Sequence, residues 1–211
     1  MIATAESTAA APLSAAPRER WLRQRAASVY RRLRRGTARR LHPWRRARAI
    51  RGIAKLRSPR GILVLCHGNI CRSPFAAAVM RTLTSVPITS AGFVGPGRAV
   101  PAFAGEAAAM RSVDLDAHRS QLVTSEMLAA ADLVIVMDDA TARATRRLLD
   151  GMRREVVLLG DLDPEIPDSR GITDPWGRSA ETFQQVFERI DRCCRHLARM
   201  MDGGTRHGVE S

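Results

Sequence analysis

Ile62-Leu63-Val64-Leu65-Cys66-His67-Gly68-Asn69-Ile70-Cys71-Arg72-Ser73-Pro74 reads as a buried strand, a tight turn and the opening of a helix. The first four residues are apolar and mostly branched, without alternation, the composition of a strand covered on both faces. Pro74 suits the first turn of a helix, where its missing N–H costs nothing, and Phe75-Ala76-Ala77-Ala78 continues it. Between strand and helix, Gly68 and Asn69, the only asparagine in the chain, tolerate left-handed backbone angles. The turn can therefore aim successive N–H groups inward and form an anion-binding nest at a helix N-terminus.

Outward from this stretch the alternation repeats. Ile88–Ser90, Leu133–Met137 and Val156–Leu159 are short runs rich in branched residues, with Val86 and Pro87 leading into the first. Helix-like stretches fall at about 74–84, 101–112, 139–150 and 179–202. Strands interleaved with helices predict an α/β fold, a small doubly wound four-stranded parallel sheet with helices on both faces. Ligands of such sheets sit past the carboxyl ends of the strands, so chemistry is expected just after Leu65, Ser90, Met137 and Leu159. The longest apolar run, Leu128 to Met137, is interrupted by Asp132 and has the length of a core strand, too short to cross a membrane.

The chain has 211 residues, 45% of them hydrophobic, and a net charge of +13. That charge is unevenly placed. Residues 1–60 hold 17 of the 34 Lys+Arg against only Glu6 and Glu19, so this segment carries +15 and the remainder −2. We therefore expect a basic N-terminal arm over 1–60, one domain over 61–202 and a flexible tail over 203–211. Residues 1–17 are mainly Ala, Ser, Thr and Pro with little to bury, which predicts disorder. From Arg18, Trp21, Leu22, Val29, Tyr30 and Leu33 recur at helical spacing. Leu41, Trp44, Ile50, Ile53 and Leu56 do so again beyond the interruptions at Gly36 and Pro43, which predicts two short basic amphipathic helices. Such helices suit an anionic membrane surface or an acidic partner, with nucleic acid the least favoured occupant. An Arg-rich transit segment is a further alternative, and a solvated arm without a specific partner is the plainest reading.

Cys66, Cys71, Cys193 and Cys194 match neither a disulfide framework nor zinc spacing, and no secretory signal precedes them. Reduced thiols in a cytoplasmic protein are expected, peripheral to the membrane if the arm finds one. Cys193 and Cys194 are neighbours on the last helix, so one is expected in the core and the other at the surface.

A cysteine at the base of the nest faces the positive end of the helix dipole, inward N–H groups and a guanidinium. All three favour thiolate and make Cys66 a nucleophile at neutral pH. Arg72 offers a planar fork for two oxygens of a phosphoryl group, and the Ser73 hydroxyl can donate to the sulfur.

Val64 to Pro74 resembles the signature of the low-molecular-weight protein tyrosine phosphatases, and the likeness continues along about residues 61–202. It takes in Ser90-Ala91-Gly92, Pro101-Ala102 through His118-Arg119-Ser120-Gln121, Asp132 to Asp138, and Asp174-Pro175-Trp176-Gly177. The resemblance implies a cysteine-dependent hydrolase of protein phosphotyrosine and small aryl phosphates that needs neither metal nor cofactor. In it Cys66, Arg72 and Asp174 are catalytic, and His67, Gly68, Asn69, Ile70, Cys71 and Ser73 complete the phosphate loop. It also implies that Cys71 forms a reversible disulfide with the nucleophile, against the plainer reading of a small residue lining the loop. His118 would support the Asn69 turn, and bacterial relatives imply a tyrosine kinase controlling surface polysaccharide as substrate.

A phenolate leaving group needs a proton as the P–O bond breaks. Asp174-Pro175 fixes a turn, Trp176 supplies an apolar wall and Gly177 precedes the last helix, so residue types agree with the resemblance. The competitors Asp163 and Asp168 lack an aromatic and a glycine after them and are expected to be solvated or capping. Ile70, where the family's arginine-phosphatase branch has Thr, favours phosphotyrosine, and a deep nest with apolar walls suits its long reach. An arsenate reductase would need a relay cysteine pair, and no cysteine lies between Arg72 and Arg192. A non-catalytic phosphate-binding module with a nucleic-acid- or membrane-binding arm is the other alternative, but it has no use for Cys66 and Asp174. Excision of residues 1–58 is expected to leave turnover of a small aryl phosphate intact.

Overall fold

The computed structural model describes residues 17–56 and 59–205. Four strands, β1 (Ile62–Leu65), β2 (Ile88–Ala91), β3 (Leu133–Val136) and β4 (Glu155–Leu158), form an all-parallel sheet in the order β2-β1-β3-β4. The order reverses between β1 and β3, and at that switch point the loops after both strands open onto one crevice. Side chains alternate between two cores. Ile62 and Val64 of β1 join Leu133 and Ile135 against α2 (Arg72–Leu83), α3 (Ala102–Ala109) and α6 (Ala180–Thr205). Leu63, Leu65, Val134 and Val136 face α4 (Ser125–Ala130) and α5 (Asp139–Leu149). Helices thus cover both faces, as expected.

The contact that fixes α2 is aromatic. Phe75 stacks on Phe187 of α6 at 4.1 Å and 11°. Because α2 begins at Arg72, this packing also fixes the position of the loop after β1.

The strand expected at Leu133–Met137 is β3; ahead of it Thr124 caps the Met127 N–H and opens α4, a helix not expected from the sequence. Three expectations need correction. The two expected arm helices are one, α1 (Pro17–Ala54), which continues through Gly36 and Pro43. Proline costs an internal hydrogen bond, but tertiary contacts hold the helix on both sides of it. His42 Nε2 lies 3.0 Å from the Asp163 carbonyl and Arg46 Nη2 lies 2.6 Å from His196 Nε2. Nor does packing break at residue 60, since His42, Ala49 and Ile53 are buried against the domain. The predicted disorder of 1–17 lies outside the described residues, except that Pro17 opens α1. The tail expected from 203 is helical to Thr205, and 206–211 lie outside the described residues.

Candidate active site

β1 delivers Cys66 to the crevice, where its Sγ accepts the Asn69 N–H at 3.2 Å and the Ser73 hydroxyl at 3.0 Å. Asn69 stands at φ +51°, the left-handed turn its residue type allows. Three side-chain bonds hold it there: Nδ2 donates to Ser73 Oγ (2.9 Å) and Ser90 Oγ (3.0 Å), and Oδ1 accepts the Gln121 N–H (3.0 Å). His118 Nε2 donates to the Asn69 carbonyl at 2.7 Å. Gly92 lies against the back of this turn, where a Cβ would meet Asn69 N at 2.8 Å and the His67 carbonyl oxygen at 2.9 Å. The N-cap of α2 is Cys71, whose side chain makes no cap bond, so the helix turns its opening amides toward the loop without a side-chain acceptor.

Arg72, 2% exposed, ties the loop to two other segments. Nη1 donates to Asp138 Oδ2 and to the Ile172 carbonyl, each at 3.0 Å, and Nη2 donates to Asp174 Oδ2 at 2.7 Å. Its Nε is buried with no partner among the described residues. Burial pushes the Asp138 carboxyl up, but the Thr141 amide and the Arg72 guanidinium outweigh it and bring the pKa below the usual carboxylate value. Above these groups lies a cavity of about 230 Å³ with Cys66 and Arg72 in its lining and Ile70, Val94 and the exposed Trp176 as apolar walls. His67 is exposed at its edge and Gly68 lines it, with Arg98 Nη2 donating to the Gly68 carbonyl at 2.9 Å.

All the sequence-predicted site residues thus converge here. Cys71 is buried beside Cys66, and burial, reinforced by Cys66 and Asp174, pushes its thiol up to about 12. Two expectations fail. Asp163 is not solvated: it closes the 3₁₀ turn Leu159–Leu162, and its carboxylate is fully buried between Arg189 and Arg192. Cys193 and Cys194 are both fully buried, because α6 packs against α2 on one side and the Asp163 region on the other. Reading the sequence missed Asp138, Ser90, Gln121 and Arg98. For Asp138 the signal was its place just after Met137, at a strand's carboxyl end.

A parallel sheet whose first strand ends on a cysteine inside an anion nest, with an arginine fork beside it, is the architecture of a cysteine-dependent phosphatase. Residues 61–206 match the model of the low molecular weight phosphotyrosine protein phosphatase family, and the chain belongs to that family. It is a cysteine-based phosphotyrosine phosphatase. The chain is 35% identical to the probable low molecular weight protein-tyrosine-phosphatase EpsP of Ralstonia nicotianae, covering 62% of this chain and 88% of that one. It is 32% identical to the low molecular weight protein-tyrosine-phosphatase Wzb of Salmonella typhi over 67% of this chain and 93% of the relative. Among solved structures, Vibrio vulnificus Wzb in complex with benzylphosphonate aligns with a TM-score of 0.61 and 31% identity, over 67% of this chain and 99% of that one.

Proposed function

We propose that Cys66 attacks the phosphorus of a protein phosphotyrosine while Arg72 and the amides from His67 to Ser73 hold the equatorial oxygens. Asp174 protonates the departing phenol, then as carboxylate activates the water that hydrolyses the phosphocysteine. The buried, unpartnered Arg72 Nε carries this reading, because an orphaned donor at that depth costs free energy until a phosphoryl oxygen meets it. Ser73 and the Asn69 amide, both on Sγ, stabilise the thiolate as nucleophile and as leaving group. Asn69 and His118 position the turn, and Ile70 and Trp176 sandwich the phenyl ring.

The substrate class we favour is a bacterial tyrosine kinase, acted on in the cytoplasm by a phosphatase unit at about 61–202. The basic arm, with Trp21 and Trp44 exposed among its arginines, suits an anionic membrane or an acidic partner face. No helix among the described residues is long and apolar enough to cross a membrane.

Hydrolysis of p-nitrophenyl phosphate in chelator tests the assignment. Turnover should vanish in Cys66→Ser, fall strongly in Asp174→Ala and be blocked by vanadate. A folded, reduced protein without turnover would leave a phosphate-binding module as the better account.

A further inference from the structure

We infer that α1, which lies outside the family-matched region, is a working part of the enzyme: through His42 it positions the segment that carries Asp174. The inference rests on the reading of Asp174 as the acid. That residue stands at the end of a long connection, 163–175, with no helix or strand of its own. Side chains from elsewhere must therefore supply its geometry, and a donor misplaced by about 1 Å can lose up to a hundredfold in rate.

The holding begins at Asp163, which directly follows the 3₁₀ turn Leu159–Leu162. Its carbonyl accepts His42 Nε2 at 3.0 Å, and His42 is 5% exposed. A carbonyl can only accept, so the proton sits on Nε2. The carboxylate of Asp163, fully buried, accepts Arg189 Nε at 2.9 Å and Arg192 Nε at 2.9 Å. Arg189 then reaches forward along the connection, Nη1 to the Gly171 carbonyl at 3.1 Å and Nη2 to the Ser169 carbonyl at 2.8 Å. The next carbonyl, that of Ile172, accepts Arg72, and Asp174 follows two residues on. A Cβ on Gly160 would collide with the Arg170 carbonyl, so the connection is pressed against the turn it left.

His42 is itself held by the part of α1 that follows it. Arg46 meets His196 of α6 one turn later, and Ala49 and Ile53 are buried in the main core. The helix cannot drift without moving the Asp163 carbonyl. A continuous set of hydrogen bonds thus runs from α1 through Asp163 and Arg189 to the backbone beside Asp174. His42 touches neither substrate nor reacting atoms and acts as a positioning residue.

Leaving-group dependence separates positioning from general damage. In the full chain, kcat/KM reports the step in which the phenol departs. It is compared for phenyl phosphate, whose phenolate needs the proton, and 2,4-dinitrophenyl phosphate, whose leaving group does not. Asp174→Asn should lose far more on phenyl phosphate than on the dinitrophenyl ester. His42→Ala should show the same pattern, with a selective loss of about tenfold, and His42→Gln, which restores a side-chain N–H donor, should recover most of it. Arg189→Gln, which cuts the tether without touching α1, should repeat the selective loss and serves if His42→Ala fails to fold. Equal losses on both esters, no loss, or a glutamine variant no better than alanine would overturn the inference. If Asp174→Asn itself shows no selectivity, the acid assignment fails, whatever the His42 variants do.

Discussion

At the scale of single residues, the active loop is held by groups that leave little slack. Gly92→Ala puts a methyl group within 2.9 Å of backbone atoms of His67 and Gly68, and backbone cannot rotate away as a side chain can. The loop must shift, so kcat/KM on p-nitrophenyl phosphate should fall about tenfold or more while the far-UV circular dichroism is unchanged. An unaltered rate constant would show that the loop tolerates displacement. The cysteines make a second test. Burial pushes the thiols of Cys71 and Cys193 up to about 12 and that of Cys194 well above its ordinary value, so all three stay protonated and enclosed at neutral pH. Iodoacetate should therefore add one carboxymethyl group to the native protein, at Cys66, and four after denaturation, counted by intact mass. A second native adduct at Cys71 would contradict this.

At the scale of elements, the α2–α6 contact sets the loop's foundation. Phe187→Ala removes the face of the Phe75 stack and an edge contact with Phe183 from a fully buried position. The expected loss is about 3–5 kcal/mol of unfolding free energy, read from urea denaturation; a loss below about 1 kcal/mol would mean that the helices close over the gap. What was legible at this scale follows from locality. The four strands lie within about a residue of their expected places because unbroken branched runs carry their own signal. The nest was legible because Cys66, Gly68, Asn69, Arg72 and Pro74 lie within one short stretch of sequence and act together. The six-residue α4 is too short to display a helical period and merges into the apolar run that follows. Asp163-Pro164 reads locally as a turn, whereas its arginine partners lie 26 and 29 residues ahead. In α1, Gly36 and Pro43 are local breakers, and the contacts that override them are made 121 and 150 residues away.

At the scale of the whole molecule, the charge boundary and the packing boundary differ. Charge divides the chain at residue 60, yet α1 contributes Ala49 and Ile53 to the main core. Deleting residues 1–56 should therefore cost about 2–4 kcal/mol from those apolar contacts alone. The contact between α1 and α6 also gives the molecule a pH dependence of definite sign. A guanidinium can only donate, so His196 Nε2 must accept from Arg46 and the ring must be neutral. Burial, then the charges of Arg46 and Arg199, hold its pKa below the ordinary 6.5 against the opposing pull of Asp163. A base depressed in this way takes up a proton more readily in the unfolded chain. Its stabilising contribution is complete above about 6.5 and falls away as pH drops from there through the folded value. Urea midpoints followed from about pH 8 to pH 5 should therefore decline more steeply in the wild type than in His196→Gln, which keeps an acceptor for Arg46 but cannot titrate. Deletion of residues 1–56 removes Arg46 and should flatten the same window, because the folded His196 then titrates nearer its ordinary value. Parallel curves for all three proteins would show that the arm and the domain meet without the Arg46–His196 contact contributing to their association.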